Sequence, residues 1–371
     1  MAICFLLNVP LPRAYPLPAL RNNSLFDEIN NTEETERARK VLSEITTDEQ
    51  KDIFQVLESK VGFDLVVKWI NKYPNLNRDE NVEEIKDFLE FLKNPDNRKG
   101  DFITEAFRRF PVINKMQEDF KEAFIDLSKP VPAAVAKEEL FRKFIKGPIV
   151  ADVGCGWNVL GREILINNPH VKKVIGCDLE EQMKRELPKG VSFRLMENPL
   201  NIPIEDDLAN SVILSFVLHH IEVDTEQFLK EVKRVLSADG YVFVLEDTFS
   251  SFILPEYDDN ELSNLFFALR DSGKRLLCLE FIDWFNHNFI NRSRAPLVPG
   301  NYKSIEDWEE IFQRSGFRIV ESRHFGFFAI GSKNPVNRGF FVLGKEIRKE
   351  TQTKASSFEY LLTLKTIKDK L

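Results

Sequence analysis

The residues of this chain that could do chemistry fall into four groups. The first is VADVGCGWNVLG, residues 150–161, where an apolar run meets Asp152 and turns on Gly154 and Gly156 with Cys155 between them. Two glycines let the backbone come close to a ligand, and a helix N-terminus behind them favours a negative group. The second is Asp178, which ends a strand-like run 22 residues past Gly156; an acid there can accept from ribose hydroxyls. The third is SFVLHHI, with Ser215, Phe216, His219 and His220, followed downstream by Glu246 and Asp247. Imidazole suits proton abstraction near neutral pH, and an aromatic face can hold a cation. The fourth is the segment 250–300, where Phe266, Phe267, Phe281, Trp284 and Phe285 could line an apolar pocket. Asn286, His287, Asn288 and Arg292 would be its polar readers.

The glycine turn discriminates between ligands. A dinucleotide fingerprint needs a third glycine three positions after the second, and that position is Val159. Asp152 would repel a diphosphate, but it can accept a hydrogen bond from an ammonium group. S-adenosylmethionine (SAM) carries an ammonium, a sulfonium and one carboxylate, so it suits this turn better than a nicotinamide dinucleotide does. Cys155 reads as a small residue of the turn and not as a nucleophile. The acids Glu246 and Asp247 could bind a cationic substrate or a metal, or serve as a cap or loop partner. The four cysteines include no CxxC pair and no histidine lies at ligand spacing, so neither a zinc site nor a disulfide framework is expected.

Elements of two kinds must position these groups. Before residue 148 the pattern is helical: IFQVLESKVGFDLVVKWI after a capping-box spacing at Thr47–Gln50, a helix from about Asn81, another over roughly 112–128, and AAVAKEELFRKFIK stopped by Gly147-Pro148. From 148 onward, PIVADVG, KKVIGCDL, VSFRLM, SVILSFVLHH and YVFVLED read as strands separated by helical runs such as GREILINN, EEQMKREL and TEQFLKEVKRVL. Near-continuous Val, Ile and Leu in strands spaced by helices is what a parallel sheet covered on both faces requires. SIEDWEEIFQRSGF then reads as a helix, and FRIVESRHF and FFVLGK as two closing strands, with NPVN as the turn before the last.

With this series in order, residues 148–248 resemble the class I SAM-dependent methyltransferases, in the broad group called type 11. The resemblance implies an α/β, Rossmann-like, doubly wound sheet of about seven strands, the last antiparallel, with SAM as cofactor and S-adenosyl-L-homocysteine as product. It places Asp152, Gly154, Cys155, Gly156, Asp178 and Leu179 around the cofactor, Asn198 and Pro199 at the adenine-reading pair, and Ser215 and Phe216 beside the methionine portion. Here the chain departs from the family, which has an Asp-Ala pair where this chain has Asn198-Pro199. His220, and after it His219, are the catalytic candidates, while Glu246, Trp284, His287 and Asn288 are candidates for the acceptor side.

The expected organisation is an N-terminal arm and all-helical accessory domain over 1–135, a SAM-binding domain over 136–349 with a lid-like insertion at 250–300, and a C-terminal tail or helix at 350–371. A net charge of −8 over 371 residues, with both signs interleaved, argues against a nucleic-acid-coating surface. No apolar run reaches the ~20 residues of a membrane span, and a cytoplasmic methyltransferase acting on a small or medium-sized organic molecule is expected. A protein, peptide or RNA acceptor read by the helices, and a SAM-binding scaffold without catalysis, are the alternatives. The helices could also pair two copies of the chain.

Overall fold

The computed structural model describes residues 52–71, 79–99, 101–125, 131–180, 187–249, 261–291, 298–325 and 337–346. The N-terminal arm, Thr47–Gln50, the helix expected at EEQMKREL from residue 181, residues 250–260, Arg292, the first three residues of NPVN and the segment 350–371 lie outside them. After a 3-10 turn at Ile53–Glu58 come α1 (Lys60–Asn71), α2 (Asp79–Lys93), α3 (Phe102–Arg109), α4 (Pro111–Ile125) and α5 (Pro132–Arg142). The helix expected over roughly 112–128 corresponds to α4, and α3, which was not read from the sequence, precedes it. Pro111 supplies the break, since proline fits the first turn of a helix and not its interior.

The alternating part folds as β1 (Ile149–Val153), α6 (Leu160–Asn167), β2 (Lys173–Asp178), β3 (Val191–Leu195), β4 (Ala209–Ser215), α7 (Thr225–Val235) and β5 (Leu236–Thr248). Helices α8 (Glu261–Ala268), α9 (Ser272–Phe285) and α10 (Ile305–Arg314) follow, then β6 (Phe317–Phe325) and β7 (Asn337–Lys345). The sheet runs β3-β2-β1-β4-β5-β7-β6, and β7 alone is antiparallel to its neighbours. This is the doubly wound, seven-stranded sheet expected from the alternation. The strand order reverses between β1 and β4, and a ligand crevice forms at the carboxyl ends of strands on either side of such a point.

Side chains alternate across the sheet with period two. Val150, Ile213, Phe243 and Leu245 pack with Phe141 of α5 and Ile164 of α6 on one face. Ala151, Val153, Leu214 and Val244 pack with α7 and with Trp308 and Phe312 of α10 on the other. Asp152 shares the face of Val150, and therefore lies on the α5 side. The boundary expected at 135/136 falls inside α5.

A third core joins α1–α4 to the segment after β5. Trp69, Phe88, Leu89 and Ile113 pack there with Phe266, Phe281, Phe285 and Phe289, all of them fully buried. The ring pairs Trp69–Phe285 and Phe88–Phe289 meet edge-on at 5.3 and 5.2 Å, the arrangement that the aromatic quadrupole favours. The insertion and the N-terminal helices therefore share one interior.

Candidate active site

Geometry at the carboxyl ends begins with the turn after β1. Gly154 and Gly156 have φ of 71° and 49°, which glycine alone adopts at no steric cost. The N–H groups of Gly154 and Cys155 donate to the Cys177 carbonyl at 2.8 and 3.1 Å, tying the turn to β2. The Gly156 N–H donates to Asp178 Oδ2 at 2.7 Å, and the Glu180 N–H to its Oδ1 at 3.2 Å. Burial raises the Asp178 pKa against the pull of these backbone bonds. The acid at the end of β2 thus holds the turn itself, with lone pairs left over.

Asp152 is 3% exposed, and burial pushes its carboxyl up to about 7, opposed by Lys137 and assisted by Asp178. Lys137 of α5 is half-buried. Burial and Arg338 push its ammonium down to about 8, against the pull of Asp152, Asp247 and Glu246. The Lys137 Nζ lies 4.7 Å from the Phe216 ring centre, and Arg338 Cζ lies 4.5 Å from the same ring. Arg338 Nε in turn donates to Asp247 Oδ1 at 2.8 Å. The cations that Phe216 faces here are the chain's own. Burial, then Asp152 and Asp178, raise the Cys155 pKa well above that of a free thiol, which leaves a protonated and unreactive sulfur. Among the described residues, the Ser215 hydroxyl and both amide atoms of Asn158 are buried without a hydrogen-bond partner.

The strand expected to run through SFVLHH stops at Ser215. Phe216 takes a positive φ of 60°, and a 3-10 turn follows at Leu218–His220. Glu246, fully buried at the end of β5, draws this turn in. Its Oε1 accepts from the N–H groups of Val217 and Leu218 at 2.7 and 3.0 Å, and its Oε2 lies 2.5 Å from His219 Nδ1. Burial opposes a charge on His219, but Glu246, with Asp283 and Asp247 behind it, carries the imidazole up to about 9. Tyr302 stacks on the His219 ring at 5.3 Å.

Three further groups converge beside His219. His220 Nε2 and His287 Nε2 are 3.1 Å apart, and each lies 3.6 Å from Asp283 Oδ1. Asp283 Oδ2 accepts from the Gly300 N–H at 2.7 Å. A Cβ on Gly300 would meet His219 Cδ2 at 2.4 Å, so only glycine allows this close approach. His287 sits in a π-helical turn, Asn286–Asn291, that continues α9; such turns occur often at functional sites. Of the candidates read from sequence, Glu246, His219, His220 and His287 meet in this one cluster. Asp283, Gly300, Tyr302 and Lys137 join the site without having been singled out. The i,i+4 spacing of Asp283 and His287 on one helix was the signal available for the first.

Other expected residues stand elsewhere. Trp284 packs its ring among Phe54, Phe281 and Phe289, and Phe266, Phe281 and Phe285 lie in the same core. The aromatic stripe is therefore interior and not pocket wall, because α1 and α2 cover it. Asn288 donates its amide to the Trp284 carbonyl at 2.8 Å. Asn198, exposed, accepts from the Leu200 N–H at 2.9 Å, shaping its own turn beside half-buried Pro199. Leu179 packs partly buried against the α7-side core.

Comparison with known proteins places this geometry. Residues 151–244 match the family model described as a methyltransferase domain. A ubiquinone/menaquinone biosynthesis C-methyltransferase UbiE from Geotalea uraniireducens is 29% identical over 112 residues, 28% of this chain and 47% of that protein. Its counterpart from Geotalea daltonii is 28% identical over 120 residues, 30% of this chain and 51% of that one. The chain spans about half the length of these curated relatives. A crystal structure of a SAM dependent methyltransferase from Aquifex aeolicus aligns over 61% of this chain and 97% of its own at 15% identity, with a TM-score of 0.35. Among the described residues no helix is long and apolar enough to cross a membrane. Over residues 151–244 the chain is similar to methyltransferase domains.

Proposed function

We propose that the protein transfers the methyl group of SAM to a small or medium-sized organic acceptor bearing an oxygen, nitrogen or carbon nucleophile. Asp152 accepts from the cofactor ammonium, Asp178 from the ribose hydroxyls, and Ser215 and Phe216 flank the methionine portion. The sulfonium supplies the leaving group, so the protein has mainly to align nucleophile, methyl and sulfur and to exclude water. His219, fastened by Glu246, orients the turn, and His220 stands on the acceptor side. The C-methyltransferase name of the relatives keeps carbon among the candidate atoms.

One observation carries the reading. A Cβ on Gly154 would lie 2.4 Å from Val217 Cγ2, so the cofactor turn presses on the very segment that bears the two histidines. The cluster is also nearly closed, with side-chain exposures of 10% for His220, 13% for His287 and 9% for Asp283. That favours a small reacting group over a macromolecular surface. The test supplies methyl-labelled SAM to the full chain with panels of hydroxyl, amine and activated-carbon acceptors, and separately with protein and RNA. Label in a small molecule is the expected result. Label confined to a macromolecule would overturn the acceptor class, and failure to bind S-adenosylhomocysteine would overturn the cofactor.

A further inference from the structure

The geometry points to a divalent-cation site of the zinc class formed by His220, His287 and Asp283, on the acceptor side of the proposed methyl-transfer site. Two imidazole nitrogens and a carboxylate oxygen converge with separations of 3.1, 3.6 and 3.6 Å. A circle through three such points has a radius of about 2.0 Å, close to the ~2.0–2.2 Å at which zinc holds nitrogen and oxygen ligands. An ion slightly out of that plane would have three ligands at bonding distance and a fourth, open position. That count and openness mark catalytic, not structural, zinc sites. Imidazole nitrogens also select zinc and its first-row neighbours over magnesium or calcium, which prefer oxygen.

The surroundings fit such an ion. His219, His220 and Asp283 each offer a donor atom within 4.8 Å of the others, and His219 is itself anchored by Glu246. The Asp283 oxygen not directed at the histidines is held by the Gly300 N–H. A hydrogen-bonded ligating carboxylate is a usual outer-sphere feature of metal centres. Asp283 and His287, four residues apart, come from a helix that runs into the π turn, and His220 from the turn after β4. The inference about the ion rests on these ligands alone. Its use, taking an oxygen of the acceptor at the open position, rests on the methyltransferase reading.

The experiment uses the full chain stripped with a chelator, titrated with Co2+ and Zn2+, and followed by metal analysis and the visible absorption of bound cobalt. One ion per chain is expected, with cobalt absorption typical of nitrogen and oxygen ligation at low coordination number. His287→Ala and Asp283→Asn should each weaken Co2+ binding by more than the ~10–100-fold that loss of an outer-sphere partner costs. His324→Ala, exposed on β6, should leave it unchanged. S-adenosylhomocysteine binding, measured on the same samples, should persist in every variant and thereby reports that each is folded. If His287→Ala retains wild-type Co2+ affinity, or the wild type takes up no ion, the 3.1 Å contact is a proton-bridged histidine pair only and the site is overturned. Ion uptake without S-adenosylhomocysteine binding would instead overturn the methyltransferase reading and leave the metal site standing.

Discussion

Glu246 and His219 are joined through a 2.5 Å contact between Oε2 and Nδ1, while Oε1 of the same carboxylate takes the N–H groups of Val217 and Leu218. A single buried side chain at the end of β5 thereby fixes the whole turn after β4. Expected from sequence as a candidate for binding substrate, it is committed on both oxygens to its own chain. Removing it strands two backbone donors and a buried imidazole together. Glu246→Ala should cost about 3–5 kcal/mol of unfolding free energy, as for a broken buried pair. Glu246→Gln, which keeps an acceptor for the two N–H groups, should cost distinctly less. Denaturant unfolding measures both, and equal losses would show that the hydrogen bonds to the turn are not what the acid supplies.

Cofactor affinity should depend on pH through Asp152. Its carboxyl is raised to about 7 in the folded protein, by burial first, so it is substantially protonated just below neutrality. A ligand ammonium binds the carboxylate form, and binding in turn lowers the pKa. Affinity for S-adenosylhomocysteine should therefore rise as pH increases from about 6 to about 8, by up to roughly tenfold for each pH unit over which the group remains protonated when empty. Asp152→Asn should flatten that rise and bind more weakly throughout. Calorimetric titration at several pH values decides it; an affinity that falls over this range in the wild type would contradict the role.

Asp178 makes a separate contribution. Its two oxygens already hold the N–H groups of Gly156 and Glu180, so Asp178→Ala removes the support of the turn as well as the acceptor for a ribose. A loss of about 1–3 kcal/mol in S-adenosylhomocysteine binding is expected from an unmade charged hydrogen bond. Asp178→Asn can preserve one backbone bond through its carbonyl and should recover part of it. No change in either variant would place the ribose elsewhere.

Legibility from sequence followed distance along the chain. Asp152, Gly154 and Gly156 are consecutive or nearly so, and a turn built from neighbours writes its requirements locally. The seven-stranded sheet was legible because buried parallel strands must be apolar throughout. The His220–Asp283–His287 cluster was not, since His220 and His287 are 67 residues apart and meet only through the π turn. Lys137 was hidden for another reason: helical periodicity shows that a lysine is on the polar side, not that the end of a sheet lies over it. The aromatic stripe after β5 likewise has the same pattern whether it faces a ligand or a helix, and α1 and α2 turn out to cover it.

The two turn glycines should respond differently to alanine, and the difference tests where the ligand lies. At Gly154, φ is 71° and an added Cβ would meet Val217 Cγ2 at 2.4 Å. Backbone strain of ~1–2 kcal/mol and overpacking of ~1–3 kcal/mol should both appear as lost stability. At Gly156, φ is 49° but nothing lies within 4 Å of an added Cβ, so only the backbone term of about 1–2 kcal/mol applies to folding. The open space there is where the turn is proposed to admit the cofactor. Gly156→Ala should thus lose only the backbone term in denaturant unfolding yet bind S-adenosylhomocysteine at least tenfold more weakly, whereas Gly154→Ala should be the less stable of the two. A Gly156→Ala variant with undiminished affinity would mean that the ligand does not approach this face of the turn.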